Sequence, residues 1–284
     1  MSLESLIAYL WNPKVSLKKR PQQPWKKLDV YSTEKKEEQV ETYLSVTTLT
    51  NAEGKTDRIL TFNKDGKQVE EILFQYPDEF TETSSMSHRM GDSKDIKRFN
   101  EAGFLIEEVS LDPWGDTETT KYFYDENHNL EKVIQKDEDT YTVEDLIYKE
   151  GKLHKIETKN DDGGSLFRGF IYDAKGLLEK VIRMQNEFVN MEEKYFYNEQ
   201  NQLVREIHES ISRIKDGKNP MMITEFEYHS NGQKKSECFS IIDSYKGITK
   251  LKSSEYYSEE GLLLKEESHD FIEEKETIDE YRYE

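Results

Sequence analysis

Cysteine is almost missing: Cys238 is the single one in 284 residues, so no internal disulfide can hold the fold. Long apolar runs are missing as well. No window approaches the roughly 18–20 consecutive apolar residues that a membrane helix needs. The apolar run Leu6–Trp11 is too short for a secretory signal, and its lysines follow it instead of preceding it. Positive charge is scarce, with 40 Lys and Arg against 59 Asp and Glu, a net charge of −19. Phosphate binding draws its affinity from cations, so no nucleic-acid partner is expected. The expected compartment is the cytoplasm; export or surface association is the alternative if the Met1-Ser2-Leu3 opening replaces a signal sequence.

The usual marks of chemistry are also lacking. His88, His128, His154, His208, His229 and His269 stand singly, without His-x-x-x-His or Cys-x-x-Cys spacing. There is no P-loop, no dinucleotide glycine fingerprint and no Gly-x-Ser-x-Gly elbow. The acidic loops Asp137-Glu138-Asp139 and Asn160-Asp161-Asp162-Gly163 do not follow the EF-hand pattern and read as solvated turns. With 59 acidic residues, proximity of two carboxylates is cheap and singles out no pair. No catalytic residue, metal site or cofactor is expected, and the chain reads as non-enzymatic.

What is abundant is tyrosine. Only 34% of residues are hydrophobic, which alone points to a thin core, yet 17 Tyr and 13 Phe are too many for a solvated coil. Elongated repeat folds combine a large surface with such a core. A phrase does recur: an aromatic, a turn-former, two polar residues, Gly or Asn, any residue, and often Leu. Its anchors are Phe62, Phe99, Tyr124, Tyr148, Tyr172, Tyr197, Tyr228 and Tyr257, with Tyr283 beginning a ninth copy. Successive anchors lie 37, 25, 24, 24, 25, 31, 29 and 26 residues apart.

Before many anchors apolar residues alternate, as in Tyr122/Tyr124, Phe170/Tyr172, Tyr195/Tyr197 and Tyr281/Tyr283, a strand signal. The Asp or Asn after the anchor can close an Asx-turn, and Gly or Asn accepts the left-handed conformation of a short loop. The chain returns through an apolar pair four apart: Leu105/Val109, Leu130/Ile134, Leu178/Ile182, Leu203/Ile207. That spacing also suits a helix, but the arm from Leu153 ends at Asp161-Asp162-Gly163-Gly164 after strand length. The residue between the pair is charged (Lys132, Lys180, Arg205), so the second arm is expected to bulge or to let Lys stems snorkel. Cys238 aligns with Val109, Ile134, Ile182 and Ile207, which makes it a small buried hydrophobe. His128 and His229 align with turn positions.

The Tyr-Asp-x-x-Gly-x-Leu phrase, best matched at Tyr172-Asp173-Ala174-Lys175-Gly176-Leu177-Leu178 and Tyr124-Asp125, resembles the YD repeat of RHS-type proteins from about Arg58 onward. The copies at Tyr256-Tyr257-Ser258 and His229-Ser230-Asn231-Gly232 are also similar to variant MORN repeats of some bacterial antitoxin-like proteins. The first resemblance implies a spiralling β-sheet that encloses a toxin domain or lies on a bacterial surface. The chain departs from the large members in its shortness, in lacking a recognisable self-cleavage core, and in stopping mid-repeat.

The expected fold is all-β: an antiparallel β-hairpin repeat array over residues 58–284, forming one long twisted, curled sheet of about seventeen strands. Residues 1–57 are expected to be a cap of a short helix, a basic linker and first strands. Leu3, Leu6, Ile7, Leu10 and Trp11 form the helical stripe, and Asn12-Pro13 stops it. The six basic residues Lys14, Lys18, Lys19, Arg20, Lys26 and Lys27, with Trp25 among them, suit either lidding of the acidic array or docking. Tyr281-Arg282-Tyr283 is expected as an uncovered edge strand. Two stretches lengthen the period, Phe74–Asp95 with His88, and Ile211–Met222, and read as loops. The expected function is a scaffold for protein–protein interaction, with an immunity- or antitoxin-like partner of a cationic toxin and carbohydrate binding by the Tyr-rich face as alternatives. Candidate partner contacts are Trp11, Lys18, Lys19, Arg20, Trp25, His88 and Tyr281.

Overall fold

The computed structural model describes residues 22–36, 39–88, 91–161, 163–185, 188–211, 221–243, 248–272 and 274–283. The helix expected over Ser2–Trp11 and the contacts Trp11, Lys18, Lys19 and Arg20 lie outside these residues. Every described element is a strand, and all twenty belong to one antiparallel sheet. Two compact units divide it.

The first unit holds Leu49–Leu60 and Glu70–Gly169 with the residues up to Lys26. It takes in most of β3 (Thr56–Phe62), β4 (Gln68–Asp78), β5 (Thr81–His88), β6 (Gly91–Phe99), β7 (Leu105–Leu111) and β8 (Thr117–Tyr124). It continues through β9 (Leu130–Lys136), β10 (Tyr141–Lys149), β11 (Lys152–Asn160) and the first part of β12 (Ser165–Tyr172). The second unit holds Lys27–Thr48, Thr61–Val69 and Phe170–Glu284. Its strands are β13 (Leu178–Gln185), β14 (Phe188–Tyr197), β15 (Leu203–Ser210), β16 (Met221–Tyr228), β17 (Lys234–Asp243), β18 (Ile248–Tyr257), β19 (Leu263–Asp270) and β20 (Lys275–Tyr283), followed in space by β1 (Lys27–Lys36) and β2 (Gln39–Thr50).

The expected open sheet with a bare last edge is corrected by the pairing of β20 with β1, from Leu28 opposite Tyr283 to Lys36 opposite Lys275. The sheet is closed, with the connectivity of a β-barrel, and closure removes the edge that an open sheet must protect. Tyr281 faces Val30 across this seam and its hydroxyl donates to Glu266, so it is not an edge residue. Hairpin signals mark which strands are consecutive. They carry no mark of the distant strand that will cover the last one.

Most hairpins on the anchor side are built alike. The carboxylate of Asp125 accepts from the backbone N–H of Asn127 and Asn129, and Asp173 does the same for Lys175 and Leu177. His128 (φ 62°) and Asn201 (φ 59°) hold the left-handed place that Gly176 fills elsewhere. The second arm then bulges as expected: Tyr148 faces Leu153 while Ile147 faces Lys155, so His154 is the extra residue. The same shift recurs at Tyr124/Leu130, Tyr197/Leu203 and Tyr257/Leu263.

The bulge corrects the apolar pairing. An extra residue after the leucine puts position three, not four, on the leucine's face. The buried pairs are accordingly Leu130/Val133, Leu153/Ile156 and, with Leu178 half-buried, Leu178/Val181. Ile134, Ile182, Ile207 and Cys238 fall on the opposite face, and Cys238 is half-buried between Glu225 and Ser254 rather than a core residue.

Anchor hydroxyls join consecutive hairpins. Tyr124 donates to the carbonyl of Leu105 (2.7 Å), Tyr148 to Leu130 (2.9 Å), Tyr197 to Leu178 (2.9 Å), Tyr228 to Leu203 (2.7 Å) and Tyr283 to Leu263 (2.6 Å). Tyr76 makes the same bond to Thr56 (2.8 Å). It is therefore an anchor that the phrase Tyr76-Pro77-Asp78-Glu79-Phe80 conceals for want of glycine and leucine. Because strand direction alternates, the turn after Phe62 lies at the other end of the strands. The in-phase series is Thr50, Tyr76, Phe99, and the interval of 37 residues is one and a half repeats. The expected Phe74–Asp95 loop is corrected accordingly: it is the regular run β4–β6, and His88 ends β5 opposite Gly91. Most of the Ile211–Met222 stretch lies outside the described residues.

Removing one anchor hydroxyl tests this joint. Tyr197→Phe keeps the ring and leaves the Leu178 carbonyl without its donor, so a loss of about 1–2 kcal/mol in urea unfolding is expected, with an unchanged m-value.

Candidate functional site

Two features stand apart from this regular framework. The first is the set of hairpin tips opposite the anchors. Asx-Gly turns occur at both ends of the strands, but the most exposed apolar side chains are carried by the tips. In the second unit these are Val40 (62% exposed), Val69, Phe188 (54%), Ile211, Phe271 and Ile272 (71%). They come from five hairpin tips at one end of the strands. In the first unit the tips after odd-numbered strands carry Leu111, Trp114 (68%) and Tyr141. Asp112 folds the tip around Trp114, accepting from the N–H groups of Trp114 and Asp116. Apolar residues exposed to a lesser degree also stand beside the anchors, among them Phe123 (43%), Phe196 (45%) and Leu264 (44%), but every large apolar residue more than half exposed among the described residues sits at a tip.

Beside Trp114 the first unit has a hollow of about 670 Å³ lined by Asp95, Asp112, Asp116, Glu118, Asp137 and Asp139 among others. Ser84 and Ser110 donate to Asp95, and Gln135 to Glu118. Thr140 supplies both its N–H and its hydroxyl to Asp137, which holds that carboxyl below its usual range. Among the described residues no group of three or more His, Cys, Asp or Glu is arranged to hold a metal ion.

The second feature is a charged cluster on the buried face of β13–β15. Glu193 is sealed, with its side chain 1% exposed, and pairs with the Arg183 guanidinium at 2.5 Å. The Tyr195 hydroxyl donates to its other oxygen at 2.7 Å. His208 stands between two carboxylates, with Nδ1 3.8 Å from Glu193 and Nε2 3.4 Å from Glu206. Burial lowers the His208 pKa, but the bond to Glu206 and the charges of Glu193 and Glu206 outweigh it, so the net shift is upward. The residues of β16 that face His208 and Glu206 are Met222 and Thr224, neither charged. Glu206 keeps one oxygen and Arg183 its Nε without a hydrogen-bond partner among the described residues. Composition could not single out this pair among 59 acids. The bulge register could have, because it turns Glu206 inward.

The other residues read from the sequence are placed as follows. The Tyr124, Tyr148, Tyr197, Tyr228 and Tyr283 rings are part-buried inter-hairpin joints, and the Tyr257 hydroxyl donates to Glu255 instead. Burial raises the Tyr172 hydroxyl pKa to about 12. Phe99 is buried and Phe62 half-buried. Trp25 is half-buried and its carbonyl accepts from Thr50. The His128 ring stacks on Phe104 at 4.9 Å, and His229 Nε2 lies 2.9 Å from the Tyr257 carbonyl, so both turn histidines serve the framework.

No protein-family model matches the chain, and no curated protein does. Among solved structures, a porin-like protein from Bacteroides uniformis shares 11% identity over 93% of this chain and 98% of that one, at a TM-score of 0.42. A second porin-like protein, from Bacteroides vulgatus, shares 8% identity over 89% and 97%, at a TM-score of 0.22. A TcdB2–TccC3–Cdc42 structure shares 11% identity over 85% of this chain and 18% of that one, at a TM-score of 0.29. Likenesses this weak carry no argument about activity.

The buried cluster gives two expected outcomes. Glu193→Ala leaves Arg183 and His208 without their shared counter-charge and should cost about 3–5 kcal/mol in chemical unfolding. The folded pKa of His208 lies above its ordinary 6.5, so its contribution is complete below that pH and is lost as pH rises through the raised value. Urea midpoints should therefore fall on going from pH 6 to pH 9, and His208→Gln should flatten that fall.

Proposed function

We propose that the chain is a non-enzymatic protein-binding module that meets its partner with the hairpin tips opposite the anchors. The carrying observation is that the tips hold every large apolar residue of the second unit that is more than half exposed among the described residues: Ile272 (71%), Val40 (62%), Val69 and Phe188 (54% each). Interface cores are rich in aromatic and large aliphatic groups ringed by charge, and these tips supply both. Around them lie Lys64 paired with Glu34 and Glu41, and Lys35 paired with Glu276.

A basic partner suits the charge of −19 and the carboxylate-lined hollow beside Trp114, which supports the immunity- or antitoxin-like version of the reading. Sugar binding by the repeat aromatics is less well supported. Tyr122, Phe170 and Tyr195 are buried, and the anchor hydroxyls named above are spent on backbone carbonyls, so these rings offer little face to a sugar.

Site-specific photo-crosslinking in the source cell tests the reading. A crosslinking phenylalanine analogue at Phe188 or Ile272 should capture one protein, and the same analogue at Glu259 in an anchor-side turn should not. Capture should weaken as salt rises. Equal labelling at all three positions, adducts only to lipid, or no protein adduct would each overturn it.

A further inference from the structure

A cavity of about 140 Å³ lies in the first unit on the anchor side, where the inter-hairpin packing departs from the repeat. In regular hairpins the second arm opens with a leucine that fills this space: Leu105, Leu130, Leu153 and Leu203 are all buried. The corresponding residues of β3 and β5 are Thr56 and Thr81, both lining the cavity. The Thr81 hydroxyl is moreover drawn to Asp78 at 3.1 Å. The next anchor is Phe99, which has no hydroxyl to send back. Three shortened side chains thus leave a hole walled by Ile59, Phe74, Tyr76 and Phe99. An engineered apolar cavity of about 150 Å³ binds benzene, so the space suits a ring of that size.

Its polar groups specify charge. Asp78, Glu79 and Glu82 line the cavity against a single cation, Lys55. The Lys55 charge is already matched by Glu53 at 2.8 Å, an exposed pair worth little. The Glu82 carboxylate, on a residue opposite Lys97 in the ladder, has no ion pair or hydrogen bond among the described residues. The Lys55 ammonium also stands 4.9 Å over the Tyr76 ring, within range of cation–π attraction, so the aromatic wall already holds an ammonium of the chain's own.

We propose that this cavity binds a small organic ammonium with a compact apolar body. The ligand ammonium takes the place of Lys55 over Tyr76 and pairs with Glu82, the Lys55 side chain withdraws to Glu53, and the ligand body fills the space of the missing leucines. A second consequence is that restoring a leucine should fill the hole and stabilise the chain.

Calorimetric titration of the full chain with benzylamine, benzyl alcohol and benzoate tests the site. Saturable one-to-one binding of benzylamine is expected, at least tenfold tighter than either of the others. Glu82→Gln should bring benzylamine down to the affinity of benzyl alcohol. Thr81→Leu should abolish binding and raise the melting temperature. Lack of saturable benzylamine binding by the native chain, equal or tighter benzoate binding, or unchanged binding in Glu82→Gln overturns the proposal. So does binding retained by folded Thr81→Leu.

Discussion

A single hydroxyl-to-carbonyl bond between consecutive hairpins sets the terms for much of the sheet. An anchor tyrosine can reach the carbonyl at the start of the preceding second arm only if that arm starts where the bulge puts it. The tight Asx-Gly turn brings the arm back, and the extra residue rotates it so that the leucine stays under the ring. Tyr148, for example, faces Leu153 in its own hairpin and bonds Leu130 in the one before. One residue type thus couples turn, bulge and neighbour, and repeating it keeps the hairpins in register without a deep core. The same bond explains why tyrosine, not phenylalanine, dominates a chain with only 34% hydrophobic residues.

The bulge also decides which charges go inside. Position three after the residue that opens the second arm, leucine in all but the Lys234 arm, is Val133, Ile156 or Val181 in some hairpins, but Glu108, Glu206, Glu237 or Glu266 in others. Carboxylates turned inward must be answered. Tyr122 donates to Glu108, Lys234 to Glu237 at 2.7 Å, Tyr281 to Glu266, and His208 approaches Glu206. Glu266 shows the cost: burial raises its pKa, and the Tyr281 bond only partly offsets this. Hydrogen-bonded acids therefore do inside this sheet part of the work that aliphatic packing does in thicker proteins.

Much of this was legible in the sequence, because turn chemistry is local. Anchors, Asx residues, the positive-φ site at His128 and the bulged second arm follow from the repeat phrase alone. Three readings needed more. Closure of β20 on β1 joins residues some 250 apart in sequence, and no local pattern records it. The anchor at Tyr76 was hidden because Pro77 and Phe80 stand where the phrase has its turn-former and glycine, so an ordinary pair of strands looked like an inserted loop. The place of Cys238 was misread by one position, since a pair four apart without the bulge and a pair three apart with it predict opposite faces. The buried Glu193–His208–Glu206 group depends on cross-strand register, which a one-dimensional pattern fixes only when the bulge is counted.

The two ends of the strands consequently answer to different constraints. On the anchor side, turn length, left-handed residue, bulge and ring are coupled, so a change in one disturbs the next hairpin. Departures there leave a visible defect, and the threonines at 56 and 81 with Phe99 do leave a cavity. At the opposite tips neighbours are joined by backbone bonds that any side chain allows, such as Asp161 N–H to the Tyr141 carbonyl and Phe271 N–H to that of Lys250, and turns as different as Asp112-Pro113-Trp114-Gly115-Asp116 and Phe271-Ile272 are accommodated by the same ladder. A repeat framework of this kind can change what its tips present without changing its pairing. Trp114 and Ile272 are the two most exposed large apolar residues among those described, and neither packs into the core. That is the physical ground for reading the tips as the surface on which a partner is chosen.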